Sequence, residues 1–151
     1  MVTRKMRTVL LAVLVLLLSF SMIAAAPAKA RNAVKLSTML TGAAEVPGPG
    51  DPDGWGSARI KLDTTSGRVC WTLKVKDITL PASAAHIHVG GPDVAGPVVV
   101  PLSAPNERGK AQGCTMADPA LVQAIADNPS GYYVNVHNVD YPAGALRGQL
   151  P

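Results

Sequence analysis

From Val34 to Leu150 apolar and polar residues alternate with period two, and turn-forming residues break the pattern every eight to twelve positions. Successive side chains of a strand point to opposite faces, so this pattern asks for half-buried strands rather than helices. Val34–Thr41 sets Val34, Leu36, Thr38 and Leu40 against Lys35, Ser37, Met39 and Thr41. Trp55–Leu62 carries Ile60 and Leu62 on one side, Arg59 and Lys61 on the other. Arg68–Lys76 sets Val69, Trp71, Leu73 and Val75 against Arg68, Cys70, Thr72, Lys74 and Lys76. Between them, Pro47–Gly54 consists only of Pro, Gly and Asp and must be a loop, while Thr64-Thr65-Ser66-Gly67 turns the chain back. Ala82–Val89, Pro97–Leu102, Gly109–Met116, Tyr132–Asn138 and Ala145–Leu150 read as the remaining strands. One helix is expected after Asp118, a fitting N-cap followed by Pro119, with Leu121 and Ile125 one turn apart and Asn128-Pro129-Ser130-Gly131 ending it. The expectation is one all-β domain, a sandwich or barrel of about eight strands with one short helix.

The formal charge of +4 hints at nucleic acid. Arg4, Lys5, Arg7 and Lys29 lie in the first thirty residues, however, and without them ten basic side chains face ten acidic ones. A nucleic-acid partner thereby loses its compositional support. Those thirty residues read as a signal peptide: a basic start, the apolar run Val9–Phe20, and Ala28-Lys29-Ala30 as the small-residue cleavage site. Cleavage would leave residues 31–151. The competing reading is a retained anchor, because Thr8–Ala28 is free of charge; the small-residue site favours cleavage. No second apolar run follows, so no transmembrane segment is expected after cleavage, and the domain is placed outside the cytoplasm, secreted or at the envelope. In that oxidising setting Cys70 and Cys114 are expected to form a disulfide, with two buried thiols as the alternative.

Few residues offer chemistry. No Gly-x-Ser-x-Gly occurs, and the Gly-rich segments lack the Lys-Ser/Thr ending of a phosphate loop. Asp51-Pro52-Asp53-Gly54 lacks the later ligands of a calcium loop and reads as a turn. Trp55 and Trp71 read as packing residues. The histidines are more informative. His86 and His88 are two apart and share a strand face, opposite Ile87 and Val89; His137 likewise faces away from Val134 and Val136. Three neutral imidazoles converging on the outer side of the sheet would suit zinc or copper. The alternative is that they are polar-face residues bonded to neighbouring loops. Asn135, on the same face as His137, is the expected partner that fixes a tautomer. Arg147, beside Gly144 and Gly148, is expected to tie the last strand to nearby carbonyls or a carboxylate.

Five motifs stand in order: Leu40-Thr41-Gly42-Ala43-Ala44-Glu45-Val46-Pro47, His86-Ile87-His88-Val89-Gly90, Gly96-Pro97-Val98-Val99-Val100-Pro101-Leu102, Tyr133-Val134-Asn135-Val136-His137, and Pro142–Leu150. Together they resemble the chordin-type (CHRD) domain. The resemblance implies an immunoglobulin-like β-sandwich in a secreted or cell-surface setting, and a non-catalytic binding or structural module acting on an unidentified extracytoplasmic protein or envelope component. The order of His86, His88, Gly96-Pro97, Pro101-Leu102, His137 and Arg147 is also distantly similar to Cu,Zn superoxide dismutases, which share a Greek-key sandwich. That similarity places His86, His88 and His137 on copper-ligand positions and Arg147 on the anion-guiding arginine. The bridging histidine of that family would fall on Val98, and its remaining zinc ligands have no counterpart. Copper or zinc on three histidines is therefore the alternative function expected of the domain.

Overall fold

The computed structural model describes residues 33–151; the signal peptide expected over residues 1–30 lies outside the described residues. Strands form where alternation predicts them: β1 (Ala33–Thr41), β2 (Trp55–Asp63), β3 (Arg68–Lys76), β4 (Ala84–Val89), β5 (Val98–Leu102), β6 (Lys110–Met116), β7 (Tyr132–His137) and β8 (Leu146–Gln149). One helix, α1 (Pro119–Asp127), separates β6 from β7. The β2–β3 hairpin shows how closely local chemistry sets register. Asp63 Oδ1 accepts the backbone N–H groups of Thr65 and Ser66 at 3.1 and 3.2 Å, and Gly67 takes the left-handed conformation at φ 76°. An acidic side chain bonded two and three residues on, followed by a residue free to adopt positive φ, is a self-contained turn. Pairing then runs without a slip from Asp63↔Arg68 to Trp55↔Lys76.

All pairings are antiparallel, in the order β5-β4-β7-β8-β1-β2-β3-β6. Two four-stranded halves result. β6-β3-β2-β1 is joined to β8-β7-β4-β5 through one register pair, Thr41↔Arg147. β7 returns to lie beside β4 after β5 and β6 have been made, which is a Greek-key crossover. The edge strands β5 and β6 approach each other, so the sheet is nearly closed, and Trp71 Nε1 donates to Ser103 Oγ across that seam at 3.1 Å. The edges carry suitable residues: Pro101, which has no N–H to offer, on β5, and Lys110 on β6.

The two inner faces bury one set of alternating residues, among them Leu40, Ala58, Ile60, Leu62, Val69, Leu73, Ile87, Val100, Val134, Val136 and Leu146. Trp71 needs room opposite it, and Gly113 supplies that; a Cβ there would lie 2.7 Å from the indole ring. The helix starts as predicted, Asp118 accepting the Ala120 N–H at 2.9 Å. It is rotated slightly from expectation: Val122 and Ile125 are fully buried, while Leu121 is half-buried, because the i, i+3 pair points most directly at the core. Cys70 and Cys114 are register partners on β3 and β6 and are disulfide-bonded, with Cα atoms 4.0 Å apart. Among the described residues no helix is long and apolar enough to cross a membrane.

Candidate metal centre

The β8-β7-β4-β5 half has a covered outer face. Tyr133, Val134, Asn135 and Val136 are all buried on β7, so both of its sides are occupied: the core lies behind it and loops lie in front. β4 and β7 pair as Ala84↔His137, His86↔Asn135 and His88↔Tyr133. Strand parity therefore sets His86, His88 and His137 on one patch of the outer face. Ring centroids are 5.5 Å apart for His86 and His88, 5.2 Å for His86 and His137, and 6.3 Å for His88 and His137.

Backbone carbonyls fix two of the tautomers. His88 Nδ1 lies 2.8 Å from Gly96 O, and His137 Nδ1 lies 3.1 Å from Pro142 O. A carbonyl only accepts, so both Nδ1 atoms carry the hydrogen and both Nε2 atoms present a lone pair. His88 Nε2 is buried and has no hydrogen-bond partner. His137 Nε2 faces His86 Nδ1 at 3.3 Å. One ligand nitrogen from each ring lies within 4.8 Å of the others. Burial holds all three imidazoles below their ordinary pKa, aided at His86 by the two neighbouring histidines and at His88 by Arg147. The neutral form is the one that binds metal.

Supporting groups surround the rings. Tyr133 stacks on His88 at 4.8 Å between centroids, and the Arg147 guanidinium covers the other side of Tyr133 at 3.5 Å from its centroid. Tyr133 Oη accepts the Gly96 N–H at 3.1 Å, fixing the residue whose carbonyl orients His88. Arg147 is 1% exposed, and its donors reach Val94 O at 3.0 Å, Gly91 O at 2.6 Å and Gln149 Oε1 at 3.3 Å. It clamps the loop after β4 onto β8. Its guanidinium is thus committed to carbonyls of that loop.

Asn135 does something other than expected. Carbonyls take the tautomer-fixing role, and Asn135 Nδ2 instead donates to both carboxylate oxygens of Glu45, at 2.9 and 2.8 Å. The reason is reach: the loop after β1 brings a carboxyl group over β7, and both of its oxygens lie within hydrogen-bond distance of the same amide. Glu45 was not singled out from the sequence, although it lies in the first of the five motifs. Its signal was local, a lone acid among small and apolar residues just before a Pro-rich loop. Gly144, at φ 155°, passes so close that a Cβ would lie 2.4 Å from Glu45 Oε2.

Burial pushes the Glu45 carboxyl up to about 7 from its ordinary 4.5, against the lowering effects of Asn135 and Arg147. A carboxyl that holds its proton more tightly when folded favours folding fully below its unfolded pKa, and the gain is lost as pH rises through the folded one. Glu45→Gln removes that slope. Between pH 4.5 and 7 the native protein is expected to lose about 2–3 kcal/mol relative to the variant. Paired urea titrations across this window check it; parallel pH profiles would refute it.

Comparison with curated proteins and with solved structures gives no significant match. The family model of the CHRD domain matches residues 36–150, from the second half of β1 through the end of β8. That span contains all three histidines, Glu45, Asn135, Arg147 and both cysteines, and the chain therefore belongs to the CHRD-domain family.

Proposed function

We propose that this protein is a secreted or envelope-associated CHRD module, freed of residues 1–30 by signal cleavage, whose outer histidine face holds a copper or zinc ion. CHRD domains are typically extracellular, and an intramolecular disulfide fits that setting. The observation that carries the metal reading is His88 Nε2, a buried lone pair without a partner, aimed into the same patch as the ring nitrogens of His86 and His137. An orphaned buried acceptor costs about 1–3 kcal/mol unless something satisfies it. A cation does so, and the ligand set is His86 Nδ1, His88 Nε2 and His137 Nε2. The separation of 3.3 Å between His86 Nδ1 and His137 Nε2 supports this; two ligands about 2.0–2.1 Å from a tetrahedral zinc stand roughly that far apart. The donor chemistry, three neutral imidazoles without a carboxylate, suits copper or zinc and not calcium or magnesium.

The role is binding rather than turnover. Arg147, which the similarity to superoxide dismutases sets in an anion-guiding position, is buried against carbonyls and has no freedom to lead an anion to the site. Protein purified without a histidine tag and soaked in copper or zinc is expected to carry close to one ion per chain by elemental analysis. His88→Ala should weaken uptake by more than the 10–100-fold that loss of a mere supporting partner costs. Substoichiometric metal in the native protein, or uptake unchanged by His88→Ala, would overturn the reading and leave a metal-free binding module.

A further inference from the structure

The opposite half of the sandwich shows a feature that net charge conceals. Within residues 33–151 nine cationic side chains stand against ten acids, a balance that by itself would steer no polyanion. Their placement is uneven. Lys35 on β1, Arg59 and Lys61 on β2, Arg68, Lys74 and Lys76 on β3, and Lys110 on β6 all take outward positions, and all are exposed. Of the other two, Arg147 is buried and Arg108 lies in the loop before β6. The one acid in these four strands is Asp63, at the end of β2, with Oδ1 turned to the hairpin backbone.

Strand register converts these positions into a surface. Lys35 lies opposite Lys61, Arg59 lies between Ser37 and Thr72, and Lys74 lies between Ser57 and Lys110. Arg68, Lys61, Arg59, Lys74 and Lys76 form a stripe running the length of the β2–β3 hairpin, roughly 27 Å at about 3.3 Å per residue. Ser37, Ser57, Thr72 and Gln112 occupy intervening outward positions. A shallow depression of about 400 Å³ opens at mid-stripe among Lys35, Ser37, Arg59, Lys61 and Thr72. Like charges directly opposed across strands weaken pairing, yet Lys35–Lys61 and Lys74–Lys110 are both opposed. Guarding an exposed edge accounts for Lys110. It does not account for Arg59, Lys61 or Lys74, which lie on the interior strands β2 and β3.

We propose that this face binds a linear anionic polysaccharide, with carboxylates or sulfates seated along the cationic stripe and sugar hydroxyls meeting the Ser, Thr and Gln side chains between. A lipid surface is the poorer fit. Met39 and Trp55 lie toward one end of the face and Met116 at the other, so no apolar cluster is available to enter acyl chains. Nucleic acid also fits less well. The face is a broad sheet that enters no groove, and stacking of bases needs aromatics interleaved with the cations. Trp55 is the outward aromatic of these strands, and it is engaged: Lys76 Nζ lies 5.3 Å from its ring centroid, and its Nε1 donates to Asp77 at 2.9 Å.

The test is titration of the purified protein with heparin and with polygalacturonate, using neutral dextran as control. Both polyanions are expected to bind at about 50 mM salt and to lose at least about tenfold in affinity by about 200 mM, as counterion release requires. The double variant Lys61→Glu/Lys74→Glu should weaken binding at least about tenfold, while Arg108→Glu, off the face, leaves it unchanged. Both substitutions are at exposed positions, and an unchanged circular dichroism spectrum confirms the fold. His88→Ala should bind both polymers normally, which separates this proposal from the metal reading. Absence of binding at low salt, equal loss in Arg108→Glu, or tighter binding to duplex DNA or phosphatidylglycerol vesicles than to either polysaccharide would overturn it.

Discussion

Arg147→Leu is expected to destabilise the fold by about 3–5 kcal/mol, the range for removing one member of a buried charged network. Arg147 is 1% exposed, among the most deeply buried side chains of the described residues, although it is an arginine. Its removal has three consequences. The carbonyls of Val94 and Gly91 lose their donors, the Tyr133 ring loses the cation on its face, and Glu45 loses the positive charge that favours its ionised form. Arg147→Lys should recover little, because one ammonium cannot reproduce a fork that reaches both carbonyls and lies flat on a ring. Arg147→Leu combined with Glu45→Gln should be less destabilised than the sum of the two single variants, since the second change removes the charge that the first leaves uncompensated. Urea denaturation of the four variants and the native protein measures these losses. A loss below about 1 kcal/mol in Arg147→Leu would show that the loop after β4 settles without the clamp.

Cys70→Ala/Cys114→Ala is expected to cost about 4 kcal/mol, the chain-entropy value for a sequence separation of 44. In a domain of this size such a loss lowers Tm by on the order of 10 °C or more. The bridge joins β3 to the edge strand β6, on the half of the sandwich opposite the histidines. Metal uptake measured well below Tm should therefore stay the same as in the native protein. Reductant added to the native protein should reproduce the double variant's Tm. A variant as stable as the native protein would mean that β3–β6 pairing alone organises this edge, and coincident loss of metal binding would mean that the two halves are coupled.

The strand plan was most legible in β1, β2, β3 and β6, each with one wet side and one dry side, so that alternation survives in the sequence; β7 and β8 are covered on both sides. Boundaries were less exact. The run from Ala82 begins pairing in β4 only at Ala84, because the Ala82 and Ser83 N–H groups are taken by Pro105 O and His137 O outside the ladder. Pro97 likewise stands before β5, which starts at Val98. The start of α1 was readable because Asp118 and Pro119 act locally.

For the site, parity in the sequence set His86 and His88 on a common face and turned His137 away from the core, since period two is a property of any strand wherever it lies. Adjacency of β4 and β7 is not such a property. It results from a Greek-key crossover between segments far apart in the chain, and alternation within each strand carries no record of its neighbour. The tautomers, the burial of Arg147 and the pairing of Asn135 with Glu45 depend on three loops, those after β1, β4 and β7, folding over the outer face, and loop residues carry no periodic signal. The basic stripe is a similar case: each cation was visible as a polar-side residue, but only the register of four strands gathered them on one surface. Local chemistry is written along the chain, whereas the coming together of distant groups is decided by packing.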